Sequence, residues 1–372
     1  MRKPEFDNGF IQDSLAILRQ KTQGKVVHRR RFLSALGVLG VMPIALRLTP
    51  AYAQSSELVI VNWGGDAVPA FESIWAAPYT AASGVQAVVD GSGPSSGKIR
   101  AMVESNAVSW DVCDRNLPAS IELGQEDLLE EVDWNVVDPE KLREIHRGKW
   151  GVGSYLYTFA LTWDGETHLE APKNWTDFWN LKDFPGTRTL RNNIEGMLEA
   201  ALMADGVAAA DVYPIDIERA FAKIREIKDQ TIFWSSGSQS QELFRNREVT
   251  MGNIWHTRAM LLRDETEGRV RFDFNQGILF AGAWIVPKGN PAGKAVWDFV
   301  ASTQDPESQI ELFKALGNGP INPQAADLVP EELRADDPGS PENFARQVAA
   351  DAAWYAENYS EILNQYTDLI AS

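Results

Sequence analysis

An α/β fold with a parallel sheet, arranged as two units, is predicted by three features of the sequence. First, β-rich apolar runs alternate along the chain with amphipathic helical stretches, the order typical of strand–helix–strand units. Second, the chain has 372 residues, 44% of them hydrophobic and 23% charged, a composition that excludes disordered and multi-spanning membrane proteins. Third, no internal repeat or low-complexity linker interrupts it, so the two units should be joined through strands.

The first unit opens with an apolar run at residues 58–63, which predicts a buried strand because strands covered on both faces are almost continuously hydrophobic. The patterns that follow alternate between the helical and the strand period. The predicted elements are a helix at 69–80, a strand at 85–89, a helix at 98–105 and a strand at 110–113.

The second unit repeats the alternation and is followed by a helical tail. We expect strands at 155–163, 231–234, 249–254 and 278–286, helix starts at Trp175 and Ile194, and helices at 215–228, 293–301 and 307–316. The tail 342–370 is predicted to be helical throughout.

Residues 1–53 have the features of an export signal. A twin-arginine pattern lies at 28–33, an apolar run at 32–46 and a small-x-small cleavage site at 51–53. An apolar run of about 15 residues is shorter than the roughly 20 that a membrane span needs. We therefore predict cleavage near Ala53, and a mature chain that is free in the periplasm.

The mature chain is strongly acidic. Residues 1–53 carry nine Lys and Arg and three Asp and Glu, which leaves 26 basic and 49 acidic side chains in residues 54–372, a formal net charge of −23. Such a surface repels phosphate backbones and anionic lipids. Nucleic acid and membrane surfaces are therefore excluded as expected partners.

The loops after the predicted strands are where an α/β sheet binds ligands. In the loop 62–66, Trp63 offers a stacking face, Gly64 lets backbone approach a ligand, and Asp66 adds a charge. The alternative for this loop is a tight turn with Trp63 in the core. The loop 91–98 contains Ser92 and Ser95 at a helix start, but it lacks the residues of a phosphate-binding loop. Its alternative is an ordinary helix cap.

Catalytic and metal-binding patterns are not found in the sequence. A single cysteine, Cys113, excludes an internal disulfide and a thiolate metal site, and the four histidines are scattered. None of the common hydrolase, metalloprotease or dinucleotide motifs occurs. We therefore expect no enzyme, no cofactor and no metal.

Five segments carry a resemblance to a known family: 58–65, 110–112, 171–186, 243–255 and 283–291. In their order and spacing the chain resembles the periplasmic solute-binding proteins of ABC importers, the family that includes spermidine/putrescine-binding proteins. The resemblance implies a type II two-lobed fold with lobes joined by crossing strands, which closes on a small-molecule solute by a hinge. It also implies a cognate permease in the inner membrane, and we expect the binding protein to be a monomer.

On this resemblance, the chain divides into four parts. They are the signal peptide at 1–53, lobe 1 at 57–160 plus 287–330, lobe 2 at 161–283, and C-terminal helices at 341–372 that brace both lobes.

The positions where polyamine binders of the family carry acids are neutral here. The second-lobe segment 191–194 reads Arg-Asn-Asn-Ile, and the returning strand 280–284 reads Phe-Ala-Gly-Ala-Trp. A buried diammonium without acids would carry uncompensated charge at a cost of several kcal/mol. A polyamine is therefore a poor fit.

Arginines follow three predicted strands, and a guanidinium binds a carboxylate through a two-pronged hydrogen-bonded pair. Our hypothesis is a carboxylate-bearing solute, its amine facing Asp66 and its apolar or cationic part packed by Trp63, Trp255 and Trp284. The predicted ligand-binding residues are Trp63, Gly64, Asp66, Ser92, Ser95, Arg115, Asn116, Arg191, Asn193, Ser236, Trp255, Arg258 and Trp284. The alternative is that the arginines pair with surface acids.

Two other functions stay open at this point. One is an exported enzyme on the same scaffold, since twin-arginine export is often used by folded, cofactor-bearing enzymes. The other is a periplasmic solute sensor that signals to a membrane receptor.

Overall fold

The computed structural model describes residues 57–372, which form a mixed α/β protein. The predicted export signal and its cleavage site lie outside these residues. Within them, no helix is both long and apolar enough to span a membrane.

The described residues form nine strands, most of them near the predicted positions. The strands are β1 (Glu57–Val61), β2 (Gln86–Asp90), β3 (Val112–Asn116), β4 (Val152–Asp164), β5 (Arg188–Arg191), β6 (Thr231–Trp234), β7 (Met251–Trp255), β8 (Val270–Ile285) and β9 (Val348–Ala349).

Helices connect and cover these strands. The α-helices are α1 (Ala67–Phe71), α2 (Ala77–Ser83), α3 (Ser96–Glu104), α4 (Leu117–Gln125), α5 (Trp175–Trp179), α6 (Met197–Ala204), α7 (Ile217–Arg225), α8 (Gly237–Arg245), α9 (His256–Glu265), α10 (Val296–Ser302), α11 (Pro306–Leu316), α12 (Pro341–Phe344) and α13 (Ala352–Ala371). A π-helical turn, Glu72–Ala76, joins α1 to α2, and 3₁₀ turns lie at Pro139–Lys141, Glu144–His146, Ala209–Asp211, Lys228–Gln230, Gly293–Ala295, Pro323–Leu328 and Glu331–Asp336.

The strands form one mixed sheet in the order β2-β1-β3-β8-β4-β7-β5-β6, with β9 paired to β8. The outer pairs, such as β1 with β2 and β5 with β6, are parallel. The central pairs β3–β8, β4–β8 and β4–β7 are antiparallel, so the prediction of a parallel sheet is wrong for the centre. The reason is topological: a strand that leaves one unit and a strand that returns to it run in opposite directions.

The two long central strands connect two sets of hydrophobic cores. β4 and β8 pair from Val152↔Trp284 to Asp164↔Val270. Along β4, Leu156 packs into the core that contains Leu58, while Phe159 packs into the core that contains Trp175. A smaller core around Cys113 covers the other face of the first half of the sheet. We call the part around the Leu58 and Cys113 cores lobe 1, and the part around the Trp175 core lobe 2.

Several predicted elements begin or end a few residues from their predicted bounds, and two differ more strongly. The strand predicted at 278–286 begins earlier, at Val270. The tail predicted to be one helix contains β9, where Ala350 N donates to the Leu279 carbonyl at 2.9 Å and holds the chain against β8. Helix α13 then starts afresh, because the Asp351 side chain accepts hydrogen bonds from Ala353 N and Trp354 N at 3.0 Å.

Candidate functional site

A cavity of about 270 Å³ lies between the two lobes. It takes residues from both lobes, from β4 and from α13. Its lining residues are Trp63, Ala67, Phe71, Asp114, Arg115, Asn116, Tyr155, Tyr157, Arg191, Asn193, Glu195, Trp255, Thr257, Arg258, Leu316, Asn318 and Tyr359.

The carboxyl ends of three strands deliver the polar part of this lining. β3 ends with Asp114, Arg115 and Asn116, and the Asn116 Oδ1 atom accepts from Ala119 N at 3.0 Å to begin α4. β5 ends at Arg191, and Arg258 lies in the first turn of α9, directly after β7. These arginines at or just after strand ends therefore lie in the lining of the cavity, the region where α/β sheets bind ligands.

Arg258 is held in place by packing more than by pairing. Its Nη1 atom lies 4.0 Å from the Asp66 Oδ2 atom, and the Asp66 side chain is 75% exposed. A Cβ atom on Gly237 would lie 2.7 Å from Arg258 Nε and 3.0 Å from the Trp255 ring. Burial lowers the pKa of Arg258. The arginine is thus confined against glycine backbone and an indole, and its counterion among the described residues, Asp66, is distant and exposed.

Arg191 has a close buried partner. Its Nη1 atom lies 2.5 Å from Glu195 Oε2, and Asn116 Nδ2 donates to Glu195 Oε1 at 2.8 Å. The Arg191 guanidinium also lies over the Trp255 ring, 5.1 Å from its centre. Glu195 therefore offsets much of the charge of Arg191 and joins it to lobe 1 through Asn116.

Arg115 is directed toward lobe 1. Its Nη2 atom donates to Ser96 Oγ at 3.0 Å, and its guanidinium lies 5.4 Å from the centre of the Trp63 ring. Trp63 is 47% exposed, so the alternative that placed it in the core is wrong.

Four buried N–H groups of the cavity residues have no hydrogen-bond partner among residues 57–372. They are the Nε atoms of Arg115, Arg191 and Arg258, and the Nε1 atom of Trp255. Buried polar groups are nearly always satisfied in folded proteins, so each such donor calls for an explanation. A bound solute with acceptor oxygens would supply one.

Two cavity carboxylates, Asp114 and Glu195, were missed from the sequence. Asp114 is 1% exposed, and both of its oxygens accept from the Tyr155 hydroxyl at 2.9 Å. Burial raises the pKa of Asp114 to about 7. Asp114 precedes Arg115 at the strand end, and Glu195 lies two residues after Asn193. That proximity to predicted residues was the available signal.

Trp284 does not line the cavity, and its predicted role in packing the solute is corrected. The side chain is fully buried in the lobe 1 core, where its ring packs edge-on against Phe71 and Trp75. Its Nε1 atom donates to Thr303 Oγ1 at 2.9 Å. Both the apolar ring and its one polar atom are therefore satisfied within the core.

The remaining predicted residues also lie outside the cavity lining. Ser95 and Ser236 are helix caps, which accept from Lys98 N and Gln239 N respectively. Ser92 is exposed in its turn, while Gly64 lies against backbone, since a Cβ atom there would be 2.7 Å from the Gly91 carbonyl oxygen. Asp66 stands beside Arg258. Of the thirteen predictions, Trp63, Arg115, Asn116, Arg191, Asn193, Trp255 and Arg258 line the cavity.

Sequence comparison identifies the family. The family described as Bacterial extracellular solute-binding protein matches residues 75–342. The chain belongs to this family. The resemblance to solute-binding proteins of ABC importers is thereby confirmed, and the chain is the solute-capturing component of such an importer.

Individual relatives cover nearly the same length. A gamma-aminobutyric acid-binding protein of Pseudomonas aeruginosa is 28% identical over 328 residues, 85% of this chain and 91% of the relative. The structure of an Atu4243–GABA receptor is 33% identical with a TM-score of 0.79, covering 85% of this chain and 98% of its own. AgtB of A. tumefaciens R10, in complex with agropinic acid, is 29% identical with a TM-score of 0.78, covering 85% and 99%. These relatives are binding proteins, and they confirm the two-lobed fold.

Proposed function

We propose that this solute-binding protein captures a small solute bearing a carboxylate. The observation that carries the proposal is a set of buried donors with no hydrogen-bond partner in the part of the chain that the structure describes: Arg115 Nε, Arg258 Nε and Trp255 Nε1, gathered around one cavity of about 270 Å³. Each hydrogen bond between a guanidinium and a carboxylate contributes roughly 1.5–3 kcal/mol. A carboxylate satisfies several of these donors at once and also offsets guanidinium charge, which favours an anionic group over a neutral one.

The distribution of charge in the cavity favours Arg258 as the main carboxylate anchor. Arg191 is already paired with Glu195, and Arg115 donates to Ser96. Among residues 57–372, the acid that pairs with Arg258 is Asp66, at 4.0 Å and exposed. At Arg258, a solute carboxylate competes with Asp66, whose charge is screened by solvent. At Arg191, it would have to displace Glu195, a close and buried partner.

The relatives support a carboxylate ligand. The Pseudomonas protein and the Atu4243 receptor are named for gamma-aminobutyric acid, and AgtB was solved with agropinic acid. The aromatic side chains around the cavity, among them Trp63, Tyr155 and Trp255, offer surfaces for the carbon skeleton of such a solute.

Capture by hinge closure is the second part of the proposal. The lobes would move as units at 57–160 plus 287–330 and at 161–283, with β4 and β8 as the crossing strands and α13 contacting both. In support, α13 buries Tyr355 and Tyr366 in the lobe 2 core, and its Ser360 hydroxyl donates to Glu122 of α4 at 3.4 Å.

We further propose that the protein works in the periplasm as a monomer, after removal of residues 1–53. The support is the twin-arginine pattern and the cleavage site at 51–53. Mass spectrometry of the exported protein should find an N-terminus at or near Gln54. Retention of the apolar run 32–46 in the exported protein would contradict this.

A thermal-shift screen tests the choice of solute class. A ligand that binds only the folded state raises the melting temperature. We expect 4-aminobutyrate and other small carboxylates to raise it and putrescine or spermidine to leave it unchanged. A shift confined to the polyamines would contradict the proposal.

A further inference from the structure

We propose that Asp114 holds a cationic group of the solute, so that the protein selects a zwitterion whose positive end lies against the lobe 1 wall of the cavity. The inference rests on the proposed capture of a carboxylate and adds the second recognition point. It replaces Asp66, which the sequence suggested for that role.

The hydrogen bonding of Asp114 leaves it free to bind a ligand. An ionised carboxylate offers about four acceptor positions. Among the described residues, the side chain of Asp114 accepts a hydrogen bond from one side-chain group, the Tyr155 hydroxyl. A side chain that is 1% exposed does not recover the remaining bonds from bulk water. A cation with N–H donors in the cavity would complete them.

The other acids near the cavity are less suited to this role. Glu195 already accepts from Arg191 and Asn116. Asp66 is 75% exposed and lies outside the lining, so water screens its charge. Asp114 thus combines burial, cavity contact and unused acceptor capacity.

The surroundings of Asp114 also determine its protonation. Arg115 is its neighbour on β3, Tyr155 and Tyr157 face it from β4, and Arg258 and Glu195 are the charged groups nearby on the lobe 2 side. Burial raises the pKa of Asp114 to about 7. A bound cation favours the carboxylate, so binding near neutral pH should release a proton.

Calorimetry on Asp114→Asn tests the inference with a pair of matched ligands. The pair is 4-aminobutyrate and pentanoate, which has a methyl group in place of the ammonium. In the unmodified protein we expect 4-aminobutyrate to bind at least tenfold more tightly, and proton release to appear as a heat that depends on the buffer. In Asp114→Asn that preference and that heat should disappear, while pentanoate affinity changes less than threefold.

Two further variants serve as controls, one for poor folding of Asp114→Asn and one for the loss of an acid away from the cavity. Asp114→Glu keeps a carboxylate at this position, so it should retain part of the preference for 4-aminobutyrate and keeps the inference testable even if Asp114→Asn folds poorly. Asp298→Asn, an exposed acid of lobe 1 away from the cavity, should behave like the unmodified protein.

Distinct outcomes separate this inference from the proposed function. If Asp114→Asn weakens both ligands equally, or if Asp66→Asn abolishes the preference instead, the role of Asp114 is overturned. If the unmodified protein binds putrescine but neither carboxylate, the proposed function fails. Loss of that putrescine binding in Asp114→Asn would still support Asp114 as the cation-binding residue.

Discussion

Asn116 of lobe 1 and Glu195 of lobe 2 meet across the cavity, where Asn116 Nδ2 donates to Glu195 Oε1 at 2.8 Å in a buried hydrogen bond. The same Glu195 holds Arg191, and the same Asn116 caps α4 through its Oδ1 atom. A contact between the lobes is thus built directly into the wall of the solute cavity. Closure and solute binding should therefore depend on each other.

Asn116→Asp is expected to oppose closure without removing the helix cap. Aspartate caps a helix as well as asparagine does, but it places a second carboxylate against Glu195. In small-angle scattering, the radius of gyration of the unmodified protein should fall when saturating 4-aminobutyrate is added. The variant should show a smaller decrease and need more ligand. An unchanged profile of the unmodified protein at saturation would count against hinge closure.

Arg258→Ala should weaken binding of carboxylate solutes by about 2–5 kcal/mol, because it removes one partner of a buried charge pair. Arg258→Lys should also bind more weakly, since an ammonium does not reproduce the two-pronged guanidinium contact. Calorimetry with 4-aminobutyrate measures both. Arg219→Ala, which removes a surface pair with Asp205, is the control and should bind normally. Equal affinity in Arg258→Ala and the control would rule out Arg258 as the anchor.

Gly237 does not line the cavity, but Gly237→Ala is expected to weaken solute binding through its contacts with two lining residues. The added Cβ atom would lie 2.7 Å from Arg258 Nε and 3.0 Å from the Trp255 ring, so one of these groups has to move. Alanine has a higher helix propensity than glycine, so the substitution should not lower thermal stability by weakening the helix. We expect at least tenfold weaker binding of 4-aminobutyrate.

Gly97→Ala is the matched control for this substitution. Gly97 also lies in the first turn of a helix, but the nearest atom to an added Cβ, Ser95 Oγ, is 3.7 Å away. It should bind 4-aminobutyrate normally. Wild-type affinity in Gly237→Ala would show that the position of Arg258 is not critical.

Glu199→Gln should stabilise the protein at alkaline pH. Glu199 is fully buried, bonded to the Tyr213 and Tyr355 hydroxyls, and burial raises its pKa from 4.5 to about 7. Because the folded-state pKa is the higher one, its contribution to stability is greatest below pH 4.5 and is lost as the pH rises through 7. Glutamine does not ionise, so above pH 7 the variant should gain up to about 3 kcal/mol in free energy of unfolding relative to the unmodified protein.

Urea unfolding at pH 5 and pH 8 measures this effect. The stability of Glu199→Gln relative to the unmodified protein should rise between the two pH values. Glu218→Gln, which changes an exposed acid, should show no such rise. If the unmodified protein and Glu199→Gln depend on pH in the same way, Glu199 is not protonated by burial.

Local periodicity predicted most elements of the fold, but not their mutual direction. The runs at 58–63 and 231–234 became β1 and β6 because apolar patterning is a property of neighbouring residues. The antiparallel pairing of β4 with β8 joins residues more than a hundred positions apart, such as Val152 and Trp284. No local pattern carries that information.

The sequence could predict cavity residues whose position follows from the end of a strand. It could not predict those whose position depends on tertiary burial. Arg115, Arg191 and Arg258 follow strands and do line the cavity. Trp284 looked equally suitable, but tertiary packing placed it in the core. Asp114 was overlooked because its significance comes from burial next to Tyr155, a contact 41 residues away in the chain.

Calorimetric titration of the mature protein with 4-aminobutyrate, simple dicarboxylates, putrescine and spermidine tests the central claim most directly. Because the unpartnered donors of Arg258 and its neighbours require an acceptor, at least one carboxylate-bearing solute should bind and the two polyamines should not. Tight binding of spermidine with no response to any carboxylate would contradict the account and would show that acids, rather than arginines, define the site.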